Sequence, residues 1–226
     1  MASLSWNKVT GWSGVAFVVV FLASELALAD TPALEDSAGD VRQWFEANTT
    51  QIAWTTWGVA LSVGLLFLLF ASGLRSLLGP ADAANAGVWS RLSFASAVAM
   101  VAVAAAKAAF WPIISHEDVV AAASDGSVKI LASIEVVMIA TVIPWILAVF
   151  MLGASVVILQ SGIMARWLGW LGLVSALFFA IGSLWLVTGN EESLLGFLGL
   201  TGYVGFLIWT LGAATGMIRS DSVSVS

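Results

Sequence analysis

An all-α, polytopic transmembrane bundle of six spans, with both termini cytoplasmic, is the fold this sequence predicts, and three observations predict it. Apolar residues make up 60% of the chain and charged residues 10%, with a mean hydropathy of +1.00, whereas soluble domains are about half apolar and a quarter charged. The apolar residues fall in six continuous runs, near 10–29, 51–74, 88–114, 128–159, 167–188 and 194–218. Each is close to or above the ~20 residues that carry a helix across ~30 Å of hydrocarbon. Such runs disfavour a barrel, whose strands are short and alternate apolar with polar positions. Charge, thirdly, is nearly confined to the connections between runs. The 226 residues then read as a single transmembrane domain, 1–226, with no room for a soluble one.

In the first run, Lys8, the apolar stretch Val15–Ala23 and Ala27-Leu28-Ala29 ahead of Asp30 imitate a secretory signal with a small-residue cleavage site. The apolar stretch extends to nearly spanning length, and the expectation is a retained span. Residues 30–50 form an outer loop with room for an interfacial helix. Asp40-Val41-Arg42-Gln43 reads as a capping pair at the head of the second helix, which would then begin above the membrane and descend through Trp44 and Phe45, with Leu34, Val41 and Trp44 resting on headgroups. The second span then descends through Trp54 and Trp57 to an inner turn signalled by Gly79-Pro80-Ala81-Asp82. The third and fourth runs are longer than crossing requires and are separated by an outer turn signal, Ser124-Asp125-Gly126-Ser127. Pro112 and Pro144 are expected to bend them, because proline lacks the backbone donor and frees the carbonyl four residues earlier. A bent pair can open a cavity, although membrane helices tolerate proline routinely. In the sixth run Gly196, Gly199, Gly202 and Gly205 recur every third residue, and Gly212 and Gly216 form a small-xxx-small pair. This is the pattern of close helix packing and, secondarily, of a dimer face. Tyr203, the one tyrosine, lies among these glycines and is placed to hydrogen-bond inward.

Orientation follows from the basic residues. Lys8, Arg75, Arg91, Arg166 and Arg219 fall at ends and loops that alternate crossing puts on one side, which the positive-inside tendency makes cytoplasmic. The other side collects acidic residues against Arg42 and Lys129 alone, which argues against nucleic acid or anionic lipid as outer partners. Tryptophan agrees. Trp167 and Trp170 sit beside Arg166 at inner ends and Trp54 and Trp57 at outer ends, as interfacial anchors do.

Three ionisable residues break the pattern. Glu25, Lys107 and Glu135 lie inside the first, third and fourth runs, all in the outer half. A charge at the midplane of a spanning helix costs about 2.5–3.5 kcal/mol, so each requires a partner, a proton or water. Lys107 stands in the alanine-rich run Ala102–Ala109, whose small side chains let another helix approach. A Glu–Lys–Glu cluster would hold a net negative charge, fit for a proton or a cation. The plainer use is a structural ion pair, or snorkelling of long side chains toward headgroups.

Enzymatic signatures are weak. Cysteine is absent, so thiolate chemistry and disulfides are excluded. Gly11-Trp12-Ser13-Gly14 matches the GxSG of rhomboid proteases, yet the single histidine, His116, falls in an outer loop away from Ser13. His116-Glu117-Asp118 is too small a set to close a metal sphere. No phosphate-cradling loop or haem ligand pair appears, so no cofactor and no metal is expected.

The stretch from Gly153 to Gly172, with Arg166-Trp167-Leu168-Gly169-Trp170 after a short inner turn, resembles uncharacterised six-span integral membrane proteins common in actinobacteria. The resemblance covers the last third of the chain. It implies residence in a bacterial cytoplasmic membrane and no particular activity. The function expected is a multi-pass cell-membrane protein with an outward-facing polar site at Glu25, Lys107 and Glu135 for a proton, cation or small polar solute. The alternative is a non-catalytic accessory or scaffold subunit, docking a membrane-protein partner or a second copy through the glycine-rich helix and loop 30–50. A membrane enzyme acting on lipid comes third.

Overall fold

The computed structural model of the protein describes residues 5–28, 31–188 and 193–220, and at Glu135, Leu186 and Thr188 the backbone only. Ala29 and Asp30 of the signal-like pattern, and the acidic Glu191, Glu192 and Asp221, lie outside the described residues. The described chain is helical and contains no strand. The helices are α1 (Trp6–Ala27), α2 (Ala38–Ala47), α3 (Thr49–Ala81), α4 (Val88–Ser115), α5 (Glu117–Ala122), α6 (Asp125–Ser161), α7 (Arg166–Gly182), α8 (Trp185–Thr188) and α9 (Leu194–Ser220). Among them α1, α3, α4, α6 and α9 are long and apolar enough to cross a membrane. The apolar α7, at 17 residues, is a shorter sixth. The protein is an all-α, multi-pass membrane bundle.

The six long helices form a closed ring in which each packs on two neighbours, in the order α1, α3, α4, α6, α7, α9 and back to α1. Aromatic rings fill the centre. Phe67 lies 5.1 Å from Phe17, 5.3 Å from Phe150 and 5.9 Å from Phe206, and Trp209 lies 5.8 Å from Phe150. Edge and tilted geometries among these rings add to the area they bury.

One end of the ring gathers the basic residues and will be called the basic end. Small residues bring the backbones together there. A Cβ on Gly73 would lie 2.0 Å from Thr10 Oγ1, one on Gly11 2.8 Å from the Ala214 carbonyl oxygen, and one on Gly153 2.7 Å from the Trp89 carbonyl oxygen. The reversal after α3 differs from the expected turn. Gly79 and Pro80 continue the helix to Ala81, and the chain turns at Ala86 and Gly87, both left-handed (φ 52° and 71°). The buried Asp82 holds this turn. Its carboxylate accepts the Ser90 N–H at 2.9 Å, and Asn85 Nδ2 donates both to Asp82 at 3.1 Å and to Gln160 at 2.8 Å.

The acidic end carries a cap that corrects two expectations. The N-cap of α2 is Ser37, whose hydroxyl accepts the Asp40 N–H and donates to the Asp40 carboxylate at 2.6 Å. Val41 and Phe45 are buried against Ile52, Ile114, Val128 and Ala132, and Trp44 stacks edge-on against Trp111 at 5.4 Å. Val41 and Phe45 therefore pack on protein, against α3, α6 and the end of α4. Arg42 clamps it there, donating to the Asp125 carboxylate at 2.5 Å and to the carbonyls of Val120 and Ala123. Lys129 donates to the Asp36 carbonyl. Both outer basic residues foreseen in the sequence therefore tie the cap. Ser124-Asp125-Gly126-Ser127 opens α6 as a helix start, with Ser124 Oγ accepting the Ser127 N–H at 3.2 Å.

Two π-helical turns, Ala60–Phe67 in α3 and Met138–Val142 in α6, interrupt the long spans. The second sits against Pro144. Ile143 N–H bonds the Met138 carbonyl five residues back. The next donor in that register would serve Ile139, and Pro144 has none. The Tyr203 hydroxyl donates to that Ile139 carbonyl at 3.3 Å. The carbonyl freed by Pro144 is thus five residues back, not four, and α9 supplies its partner. Pro112 lies in the last turn of α4, where its carbonyl accepts the Ser115 hydroxyl at 3.2 Å.

Candidate functional site

The acidic half of the ring holds three adjoining cavities. The first, about 130 Å³, is lined by Glu25, Thr31, Pro32, Thr55, Lys107 and Val136 among others, and leads toward the outer loop. The second, about 320 Å³, shares Glu25, Val59, Lys107 and Ile139 with it and runs down between α1 and α9 past Phe21, Met100 and Leu207. A third, about 380 Å³, reaches from Thr31 and Pro32 to Gly182 and Gly199 and meets the second at Ile139, Leu200 and Tyr203.

Glu25 is positioned by α3. Gly58 lets Ser24 come so close that a Cβ there would lie 1.9 Å from Ser24 Oγ, and Thr55 Oγ1 donates to the Ser24 carbonyl at 3.4 Å. Glu25 therefore sits in the last turn of α1, two residues before Ala27, nearer its end than the sequence implied. Its side chain is exposed and lines both cavities. Lys107 is half-buried on α4, eight residues before Ser115, which is about 12 Å of helix. Glu25 and Lys107 thus share cavity walls without being ion-paired to each other.

Glu135 lies on α6 one residue before Val136, and its side chain is outside the described residues. The three-residue cluster is described for two of its members. In the alanine run Ala104 is buried and Ala108 half-buried on the inner face beside Lys107, while Ala102, Ala105, Ala106 and Ala109 are exposed on the periphery of α4.

The remaining sequence-selected residues distribute clearly. The α9 glycines face α7: a Cβ on Gly182 would lie 2.4 Å from Gly199 Cα, one on Gly202 3.1 Å from the Phe179 ring, and one on Gly205 2.2 Å from Ser175 Oγ. Gly212 meets Trp167 and Leu168, and Gly216 faces Met164 at 4.0 Å. This face is taken up inside the bundle. Trp54 and Trp57 are 73% and 72% exposed at the acidic end, and Trp167, Trp170 and Arg166 are exposed at the basic end. Ser13 is buried near Thr10 at the basic end, with His116 in the turn after α4 at the other, so the two never meet. Among the described residues no three His, Asp or Glu side chains converge as a metal site would need.

The arrangement offers a carboxylate, an ammonium and threonine hydroxyls above an apolar floor, with the aromatic cluster around Phe67 at the centre of the ring. It can hold an ion or a polar group. Sequence reading missed Thr55, Gly58 and Arg42, whose roles depend on contacts between distant segments. Ser37-x-x-Asp40 was a legible capping pattern, and Pro144 five residues after Ile139 a faint one.

No curated protein and no solved structure matches the chain. A family model described as a domain of unknown function, DUF4386, matches residues 9–212, from the start of α1 through most of α9. With its six-helix ring and acidic-end cavities spanned by that match, the chain belongs to the DUF4386 family.

Proposed function

We propose that the protein is a non-catalytic component of a bacterial cell membrane, with both termini cytoplasmic, whose outward-opening crevice takes up a proton, a cation or a small polar solute. The observation that carries this reading is that Glu25 on α1 and Lys107 on α4 line the same two cavities. Opposite charges facing the same cavities in an otherwise apolar wall make a polar site of that wall. The likeness of residues 153–172 to actinobacterial six-span proteins supports the bacterial setting. The scaffold reading loses its main docking face, because α7 already covers the α9 glycines.

The test is reconstitution in liposomes with an entrapped pH dye and sodium- or potassium-sensitive dyes. Wild type is expected to bind or pass a proton or cation, and Lys107→Met and Glu25→Gln to lose this while inserting and eluting normally. Equal behaviour of all three proteins would remove the reading. Because the chain has no cysteine, single cysteines at Ser124 and Ser76 give the orientation. An impermeant maleimide applied to intact cells should label the first and spare the second.

A further inference from the structure

The second cavity has a side opening that a site for water-soluble ions does not need. At the basic end α1 and α9 touch through Gly11, Gly14, Ala214 and Ile218. Toward the acidic end they part around the cavity, with Leu22 and Glu25 on one lip and Leu200 and Val204 on the other. Leu22, Leu200 and Val204 are 41%, 62% and 49% exposed on the outer surface of the ring, so this lip faces the acyl chains of the bilayer. The interior below is apolar, whereas the rim carries the Glu25 carboxylate, which makes no hydrogen bond or ion pair with any described residue. Lys107 adds a cation on the facing wall.

We infer that the occupant is an amphiphile entering sideways from the outer leaflet, specifically a zwitterionic phospholipid with a primary amine in its head. Its ammonium pairs with Glu25, its phosphate lies on the Lys107 side, and one acyl chain fills the cavity between α1 and α9. Charge complementarity selects this head. A purely anionic head would face the Glu25 carboxylate, and a charge-assisted bond in a site shielded from water is stronger than at an open surface. A volume of about 320 Å³ lies at the lower end of the range for small-ligand sites, enough for a head and part of one chain. This deepens the proposed polar site and rests on it.

The experiment is native mass spectrometry of the full chain in detergent, with dioleoyl phosphatidylethanolamine and dioleoyl phosphatidylglycerol as probes. Wild type should retain the ethanolamine lipid about tenfold better than the glycerol lipid, and Glu25→Gln should lose about tenfold of that retention. Val204→Trp, or Leu22→Phe if the first folds poorly, should obstruct the side opening and lower retention without touching either charge. Equal retention of the two lipids, or unchanged retention in Glu25→Gln, overturns the inference. If neither lipid is held but cation or proton handling in liposomes still depends on Glu25 and Lys107, the lateral ligand is wrong and the polar site stands. If both assays ignore both residues, both readings fall.

Discussion

The two ends of the ring are built by different means. At the basic end glycine, serine and threonine remove side-chain bulk, and backbones meet through Gly11, Gly73 and Gly153. At the acidic end cavities open between helices that still meet closely at Gly58 and at Gly182 with Gly199, and long-range hydrogen bonds from Arg42 and Lys129 add to that packing. Dispersion between close backbones does not depend on water, and lipid cannot substitute for it. The acidic end relies on polar contacts that open and close more easily, which suits a region that must admit a ligand.

Filling the tight end is the strongest way to break this contrast. Gly73→Leu should cost about 1–3 kcal/mol or prevent insertion, because its Cβ would overlap Thr10. Gly64→Leu, in the π-helical turn of α3 where a Cβ meets nothing within 4 Å, should be tolerated. Thermal unfolding of the detergent-solubilised proteins checks both, and equal losses would dissolve the distinction.

Arg42→Ala comes next. It leaves the Val120 and Ala123 carbonyls without their donor, at about 1.5–3 kcal/mol for bonds from a charged group. The exposed Asp125 adds little, since water screens it. Hydrogen exchange should quicken over residues 31–47 and 117–129 and stay unchanged around residues 82–90; uniform quickening would show that the ends are one cooperative unit.

A smaller effect belongs to Asp82. Burial pushes its pKa upward, but hydrogen bonds from the Ser90 N–H, Asn85, the Ser90 hydroxyl and the Trp89 N–H together outweigh this and hold it below the ordinary 3.8. A carboxylate with a depressed folded pKa stabilises above its unfolded pKa and loses that contribution as pH falls through the folded value. The turn at residues 82–90 should therefore lose that contribution as pH falls below the ordinary carboxylate value of 3.8. Asp82→Asn should abolish that pH dependence. An unchanged acid limb in the variant would assign it to other carboxylates.

Tyr203→Phe is the mildest. The Ile139 bond is long at 3.3 Å, so about 0.5–1 kcal/mol is expected. Faster exchange confined to residues 139–144 would confirm that α9 satisfies the carbonyl Pro144 leaves open.

Hydropathy made the helices legible, because a spanning run must satisfy its own backbone and so can adopt little else. Trp54, Trp57, Trp167 and Trp170 were readable for the same reason, since one end of an indole prefers each phase. The depth of Glu25 and Lys107 placed them at one height, and the cavities contain both. What was hidden depends on pairs far apart in the chain. Arg42 and Asp125 are 83 residues apart, and neither carries a local pattern that names the other. Asp82 looked like an opposing charge on a basic loop, because nothing in Gly79-Pro80-Ala81 shows that the helix runs through it.

The ring closes where the first span meets the last, and the crevice lies along that junction. During synthesis α1 enters the bilayer well before α9 exists, so one lip waits for nearly the whole chain to be made. Until α9 arrives, Phe17 and Glu25 face lipid without their later neighbours. A ribosome-stalled or C-terminally shortened chain would insert most of its helices yet lack the α9 wall of the second cavity, making that wall a marker of completed biogenesis.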